Sequence, residues 1–382
     1  MPETLTHRDR LLRSARGESV DRVPIDPPIA FDRIAWDEKG SDAAPHGDPL
    51  WVEVAERCAE HCDVFVGMPA CGALFDRRFL LTPGKFIERL PVEKEGEWTV
   101  IRHVVHTPKG DLTTTDKIQA GVSTGWYTEP LVKTPDDAEA LLSVPYEFTP
   151  VDLSPARSYV EKVGDRSVAH IGVSTPLVSV SRLMHFDELL LWCHTERELV
   201  HRLIDTMTER IELGLRYVLD AGLGEMMWLG GSEQATPPMM GPEMYDEFVT
   251  QYDSRIIDLM HNYDGLVHVH CHGKISGILD RLLDMDVDMT DPVEPPPDGD
   301  ITMAEAKKRC AGRMTLMGNI EFRELEFSSP KRIRELIRTA ILDGGAERTY
   351  LYPSATPIQA LTPQYRDNAI AYIEAGLEFG AS

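Results

Sequence analysis

Short apolar runs alternate with longer amphipathic segments from residue 150 onward, and this pattern predicts strands and helices in turn. The predicted strands lie near 168–173, 225–229, 266–271, 287–290, 313–317 and 349–352. The predicted helices lie near 154–163, 186–221 (with a break), 242–263, 274–284, 301–310, 329–343 and 363–378. Strands that alternate with helices form a parallel sheet.

Two further strands, near residues 23 and 64, bring the number to eight, which predicts an α/β fold of the closed (β/α)8 TIM-like barrel type. We expect one domain over 1–382. An open doubly wound sheet is the alternative, but no strand is followed by a GxGxxG loop. Helices are expected over 6–17 and 48–62, with a long loop over 26–47.

The segment 82–125 has a different pattern. Residues 97–107 alternate apolar and polar positions with a period of two, Lys109-Gly110 provides a turn, and 111–115 returns. We predict an antiparallel β-hairpin insertion here.

The segment 266–273 reads Leu-Val-His-Val-His-Cys-His-Gly and carries the strongest chemical signal. Side chains of a strand alternate between its two faces, so His268, His270 and His272 share one face. Imidazole is both a common metal ligand and a common acid or base near neutral pH. The alternatives without a chemical role are hydrogen-bonded core histidines, or polar residues that cap the following helix.

Active sites of barrels lie at the carboxyl ends of the strands, where this chain places several polar residues. Glu233 with His270 and His272 would form a metal site with one oxygen and two nitrogen ligands, suited to zinc or another divalent ion. Glu233 is alternatively a solvent-facing loop carboxylate or a partner of a histidine. The further candidates are Asp291 and Tyr352 as catalytic residues, with Glu233, and His170 and Asn319 as substrate-binding residues. Asp291 could orient an imidazole through a hydrogen bond, or it could cap a turn before Pro292. The structural alternatives are turn formation after Gly318 for Asn319, and packing for Tyr352.

Composition narrows the class of partner. The net charge of −24 disfavours nucleic acid, because the protein would repel phosphates. No apolar run approaches the roughly 20 residues of a membrane span, and the first ten residues lack a signal-peptide core, so a cytoplasmic location is expected. The six cysteines are scattered, which argues against a disulfide framework.

Several segments in order resemble the uroporphyrinogen decarboxylase superfamily, which includes corrinoid-linked methyltransferases. They are Thr6–Leu12 with Gly17 to Pro24, Pro242–Phe248, Val267–Gly273 and Leu316–Ile320. The resemblance covers most of the chain and implies a distorted (β/α)8 barrel. True decarboxylases carry an arginine-rich segment near the start, whereas residues 27–32 read Pro-Pro-Ile-Ala-Phe-Asp. The chain is therefore more similar to the methyltransferase-like branch.

The zinc methyltransferases of that family use His-x-Cys-Gly and a later cysteine, but His272 stands at the first cysteine position and 353–355 read Pro-Ser-Ala. The resemblance implies a methyltransferase that moves a methyl group between a methylated donor, or a corrinoid on a partner protein, and a small acceptor. Zinc or another divalent metal on His270, His272 and Glu233 would assist, and a homodimer is a further expectation. The alternatives are a metal-independent decarboxylase or lyase acting on a small organic acid, and a non-catalytic ligand-binding barrel.

Overall fold

The structure is a computed structural model that describes residues 5–76, 78–120 and 125–381. The strands are Phe65–Gly67 (β1), Ile87–Arg89 (β2), Glu93–Glu95 (β3), Trp98–Thr107 (β4), Gly110–Gln119 (β5), Gly125–Glu129 (β6), Val168–Ser174 (β7), Met226–Gly230 (β8), Leu266–His270 (β9), Met289–Val293 (β10), Thr315–Ile320 (β11) and Thr349–Pro353 (β12). The α-helices are His7–Arg16 (α1), Arg33–Lys39 (α2), Pro49–His61 (α3), Pro135–Leu142 (α4), Ser154–Val163 (α5), Pro176–Ser181 (α6), Phe186–Thr195 (α7), Arg197–Asp220 (α8), Pro242–Tyr245 (α9), Gln251–His261 (α10), Leu279–Asp284 (α11), Met303–Cys310 (α12), Phe322–Phe327 (α13), Pro330–Gly344 (α14) and Pro363–Gly380 (α15).

The main sheet is parallel and follows chain order, β1-β7-β8-β9-β10-β11-β12. Its strands lie close to the predicted positions, and helices follow them in the predicted order. The alternation of apolar runs and amphipathic segments is thereby explained: the strands are buried on both faces, and the helices cover the outside of a curled sheet.

The prediction of a closed eight-stranded barrel is wrong. The described residues form a sheet of seven parallel strands, and the strand predicted near residue 23 is not formed. In its place, Ile25 forms one isolated parallel bridge with Leu351 of β12, and Asp63 donates its N–H to the Ile25 carbonyl over 2.8 Å. Proline has no N–H to donate. Pro24 and the Pro27-Pro28 pair therefore limit this segment to a bridge.

Helix α1 covers the amino-terminal ends of the parallel strands. Leu11, Leu12 and Ala15 are buried against side chains that point into the sheet's concave side. These are Val168, Met226, Leu266, Met289, Met317 and Tyr350, most of them the first or second residue of a strand. The Thr315 hydroxyl donates to the Ser14 carbonyl over 2.6 Å. The amphipathic helix predicted over 6–17 thus closes one end of the sheet.

Asp63 anchors this closure. Its carboxylate is fully buried and accepts from Arg10 over 2.8 Å, from Arg22 over 2.6 Å and from His7 over 2.8 Å. Burial alone would raise its pKa, but hydrogen bonding to His7 and the two guanidinium charges lower the pKa to about 2. One ionised carboxylate therefore joins α1, the segment before Ile25, and the chain entering β1.

The insertion between β1 and β7 is a larger sheet than the predicted hairpin. β4 and β5 pair antiparallel from Trp98–Gln119 to Thr107–Gly110, as the alternation indicates. β2 and β3 both pair with β4, and β6 pairs with β5. Residues 121–124, within the predicted insertion 82–125, lie outside the described residues.

One loop prediction and one helix prediction also need correction. The expected loop over 26–47 contains α2, capped by Asp32, whose carboxylate accepts from Ile34 N–H and Ala35 N–H. The predicted helix 242–263 consists of α9, a π-helical turn over Asp246–Thr250, and α10. The six cysteines are all buried and unpaired. None of the helices in the described ranges is both long and apolar enough to cross a membrane.

Candidate active site

A buried aspartate joins two of the predicted histidines at the carboxyl end of β9. Asp291 pairs in register with His270 across β9 and β10. It is fully buried, with one oxygen on His268 Nε2 and the other on His270 Nδ1 over 2.8 Å. The predicted alternation holds for the two histidines inside β9, so His268 and His270 lie on one face. His272, the third histidine of that prediction, lies beyond the last residue of the strand.

The electrostatics of this cluster favour an ionised Asp291. Burial would raise the pKa of its carboxyl, but the charges of His270 and His268 and their hydrogen bonds hold the pKa well below the usual range. Burial likewise opposes protonation of His270, yet Asp291 and, to a smaller extent, Glu233 and Glu294 raise the pKa of that imidazole. Because an ionised carboxylate only accepts, His270 must donate its Nδ1–H to Asp291.

His272 is held in the same way by a second carboxylate. Its Nδ1 lies 3.1 Å from Glu294 Oε1, and Gly273 donates its N–H to Glu294 Oε2 over 2.6 Å. Gly273 has a φ of +91°, a left-handed conformation that disfavours a side chain. Burial would raise the pKa of Glu294, but these two hydrogen bonds and the histidine charges lower it.

The imidazole rings of His270 and His272 meet edge to face, with centroids 4.7 Å apart. Asp291 and Glu294 occupy the Nδ1 atoms of both rings, which leaves the Nε2 atoms for other partners. A carboxylate on the far nitrogen is how metal-binding histidines are commonly oriented.

Glu233 reaches this rim because β8 and β9 approach closely where β8 ends. A Cβ on Gly231 would lie 1.7 Å from the His270 carbonyl oxygen, so only glycine fits there. Glu233 follows in a short 3₁₀ turn, and its Oε2 is buried without a hydrogen-bond partner in the described ranges. However, no group of three His, Cys, Asp or Glu side chains among the described residues is arranged to hold a metal ion.

Below this rim the concave side of the sheet encloses a cavity of about 200 Å³. The predicted residues His170 and Tyr352 line it, together with His268. Burial and the neighbouring His268 lower the pKa of His170 to about 4, and its Nδ1 is buried without a hydrogen-bond partner in the described part of the chain. Burial, together with Asp291 and Asp26, raises the pKa of Tyr352 well above its usual value. At neutral pH His170 is therefore uncharged, and Tyr352 retains its proton.

Asn319 is the predicted residue with the weakest connection to the cavity. It pairs in register with Tyr352 on the neighbouring strand, so it lies at the correct end of the sheet. Its side chain is half-buried and is not among the described residues that line the cavity.

Sequence reasoning missed several lining residues. Phe65, Trp228 and Asp26 line the cavity from β1, from β8 and from the segment after Ile25. The alternation of β8 could have indicated Trp228, which shares a face with the inward-pointing Met226. Glu321, directly after β11, was also missed. Burial and the neighbouring Glu294 raise its pKa to about 7, and its Oε1 is buried without a partner in the described ranges.

Similar proteins are consistent with this architecture. The uroporphyrinogen decarboxylase (URO-D) family model matches residues 118–366. The uroporphyrinogen decarboxylase of Prochlorococcus marinus (strain MIT 9303) is 28% identical over 185 residues, which are 47% of each chain. That of Synechococcus sp. (strain CC9605) is 26% identical over 187 residues, which are 47% of this chain and 48% of the relative. The chain spans about half the length of these curated relatives.

A solved structure matches over a longer range. A methyltransferase from Methanosarcina mazei aligns with a TM-score of 0.60 over 98% of this chain and 99% of its own, at 18% sequence identity. At this identity the likeness concerns the fold. It supports the TIM-like α/β architecture in which the strands' carboxyl ends surround the cavity.

Proposed function

Because this chain belongs to the uroporphyrinogen decarboxylase family, we propose that it is a methyltransferase-like enzyme that moves a methyl group between a methylated donor, or a corrinoid on a partner protein, and a small acceptor. The observation that carries the proposal is the pair of imidazoles at the rim, each with a carboxylate on Nδ1 and its Nε2 left for another partner. The methyltransferase fold that aligns over nearly the whole chain supports the same branch.

A divalent metal ion would be held by Nε2 of His270 and Nε2 of His272, with Glu233 as the third ligand. The unpartnered Glu233 Oε2 supports this set, since a buried carboxylate oxygen normally has a donor or a cation beside it. Glu233 would have to move closer to both rings, because no three such side chains in the described ranges are arranged for a metal ion. When bound, the metal would act as a Lewis acid that makes the acceptor a better nucleophile. Nitrogen and oxygen ligands suit zinc or another borderline or hard divalent ion.

The residues of the rim and those of the cavity would together position the reacting groups. Asp291 keeps the His270 ring in one tautomer, with Nδ1 protonated and Nε2 directed elsewhere. Tyr352, which retains its proton, would donate a hydrogen bond to the acceptor or to the leaving group. Uncharged His170 would accept or donate one hydrogen bond without adding charge.

The lining of the cavity argues against a porphyrinogen as the substrate. A tetracarboxylate needs cationic partners, and neither arginine nor lysine occurs among the described residues that line the cavity. Asp291, which lies close to Tyr352 and whose pKa is held low, would repel further carboxylates.

A second candidate is a decarboxylase or lyase that acts on a small organic acid without metal. It is favoured by the described residues, which provide no set of three ligands at metal-binding separation as they stand. His270 would then transfer a proton, and Asp291 would stabilise the cationic imidazole.

Elemental analysis of the purified protein separates the two candidates. We expect about one divalent ion per chain. The ion should be lost in the His270→Ala/His272→Ala variant and retained in His106→Ala. His106 is a matched control because its Nδ1 also pairs with a carboxylate, that of Asp111, but on the exposed hairpin. Activity would be followed as loss of the methyl group from methylcobalamin in the presence of a small thiol.

Full methyl transfer by metal-free protein would refute the metal-dependent proposal. Release of carbon dioxide from a small organic acid, unaffected by a chelator, would favour the second candidate. Absence of both activities with intact metal binding would refute both catalytic roles for these substrates.

A further inference from the structure

An apolar groove adjoins the catalytic cavity on its outer side. The groove has a volume of about 170 Å³. Ile29 and Ala30 line both spaces, so these two residues form the boundary between them. The remaining walls come from two parts of the chain, one around Trp51 and one over residues 357–361 that includes Ile358. The groove and the cavity are therefore adjacent, separated by one short stretch of chain.

Aromatic side chains form a continuous wall from the cavity to the groove. Phe31 lines the cavity, and its ring centroid lies 6.4 Å from that of Trp51, which lines the groove. Trp36 packs behind both, with its centroid 6.2 Å from Phe31 and 6.0 Å from Trp51. Aromatic pairs at these separations attract one another, so the three rings stabilise one continuous apolar wall.

The single charged side chain of the described lining is hydrogen-bonded to the protein backbone. Asp48 is the one ionisable group among the described side chains of the lining. Its Oδ1 caps α3 by accepting from Leu50 N–H and Trp51 N–H, and its Oδ2 accepts from Leu361 N–H over 2.8 Å. Asp48 thus joins the two walls, and both of its carboxylate oxygens already accept hydrogen bonds from backbone N–H groups. The described lining contains no cationic side chain that could bind an anionic ligand.

We propose that this groove binds the uncharged, apolar part of the substrate, about the size of one aromatic ring, while the group that reacts lies in the cavity near His170 and His268. An apolar space of roughly 150 Å³ can hold a benzene molecule, so the groove has a suitable volume. The inference rests on the proposed function for the identity of the reacting group, the methyl group of an aryl methyl ether. The O–CH3 bond would break, the methyl group would form a bond to the sulfur of a small thiol acceptor, and the phenolate oxygen that leaves would take up the proton lost by the thiol. The groove itself sets the substrate class as an uncharged aromatic or similarly apolar compound.

The test is a fluorine NMR titration with two probes, para-fluoroanisole and para-fluorobenzoate. We expect the uncharged probe to bind at least about tenfold more tightly, because the carboxylate of the other would be desolvated without a cationic partner. Ile358→Asp should weaken binding of para-fluoroanisole by about tenfold, since it places a carboxylate on the wall of the groove. Ile358→Leu should retain binding.

Leu342→Asp is the matched control, because it makes the same change in charge at an exposed apolar residue of α14. Both side chains are largely exposed, at 63% for Ile358 and 71% for Leu342, so neither variant should unfold the protein. Equal binding of the two probes, or equal effects of Ile358→Asp and Leu342→Asp, would overturn the groove assignment.

The outcome also separates this inference from the proposed function. Ile358-dependent binding of para-fluoroanisole in a protein that transfers no methyl group would support the groove and refute the methyltransferase role. Methyl transfer from methanol that exceeds transfer from para-fluoroanisole, with probe binding unaffected by Ile358→Asp, would overturn the groove and leave the methyltransferase role intact.

Discussion

Substitution of Asp63 by asparagine tests the energetics of the closed end of the sheet. The carboxylate is fully buried and accepts from Arg10, Arg22 and His7 at 2.6–2.8 Å. Removal of one partner from a buried ion pair typically costs about 3–5 kcal/mol, because the remaining charges are left buried and uncompensated. Since an amide can still accept a hydrogen bond, we expect Asp63→Asn to lower the free energy of unfolding by about 3 kcal/mol at pH 7.

The pH dependence provides a second, independent magnitude. The folded-state pKa of Asp63 is depressed from 3.8 to about 2. Stability from such a carboxylate is fully present above the unfolded-state pKa and is lost as the pH falls through the folded-state pKa. The difference corresponds to about 2 kcal/mol, lost between about pH 4 and pH 2. Asp63→Asn should lack this component of the acid sensitivity.

Urea unfolding at pH 7, 4 and 2.5 would measure both effects. Asp246→Asn is the matched control, because Asp246 also pairs with an arginine, Arg281, over 2.6 Å but is 47% exposed. Exposed pairs contribute about 0–1 kcal/mol. Equal losses in the two variants, or an unchanged acid sensitivity in Asp63→Asn, would refute the assignment of the closure to a buried ionised carboxylate.

Three further predictions concern the site and the core. Asp291→Asn should reduce zinc affinity about 10–100-fold in a calorimetric titration, because the anion that orients His270 is lost; unchanged affinity would contradict the proposed metal site. Glu321→Gln should stabilise the protein at pH 8 but not at pH 4 in urea unfolding. The raised pKa of about 7 means that the folded wild type loses stability as the pH rises from about 4.5 to 7, and an amide cannot ionise beside Glu294. A decline of the same size in the variant would contradict this cause. Leu11→Ala should lower the free energy of unfolding by about 2–5 kcal/mol, because Leu11 is fully buried under the strands; a loss below about 1 kcal/mol would contradict the packing of α1 described above.

The strands of the parallel sheet could be predicted because their pattern depends on burial on both faces, which the sequence records directly. The strand predicted near residue 23 was wrong, because Pro24 and its neighbours leave too few N–H donors for a ladder beside β12. β3 also escaped prediction. Its residues Glu93–Glu95 are all exposed, and they form a strand because β4 offers them a free edge.

The histidines of the candidate site could be predicted from alternation, since it places His268 and His270 on one face whatever surrounds them. The partners of those histidines depend on which strands become neighbours. Asp291 was a candidate from its position at a strand end, but its simultaneous contact with both imidazoles follows from the register between β9 and β10. The alternation of β8 could have indicated Trp228. Asp26 could not be predicted from a local pattern, because its position beside the cavity depends on how the segment after Ile25 packs against the sheet.

The seating of α1 has a consequence for synthesis of the chain on the ribosome. The Ser14 carbonyl accepts a hydrogen bond from Thr315, which lies 301 residues later in the chain. The Pro28 carbonyl likewise accepts from the hydroxyl of Tyr365. Translation proceeds from the amino end, so the apolar face of α1 emerges long before β11 and β12 exist to receive it. The native partners of that face are therefore complete only after nearly the whole sheet has left the exit tunnel.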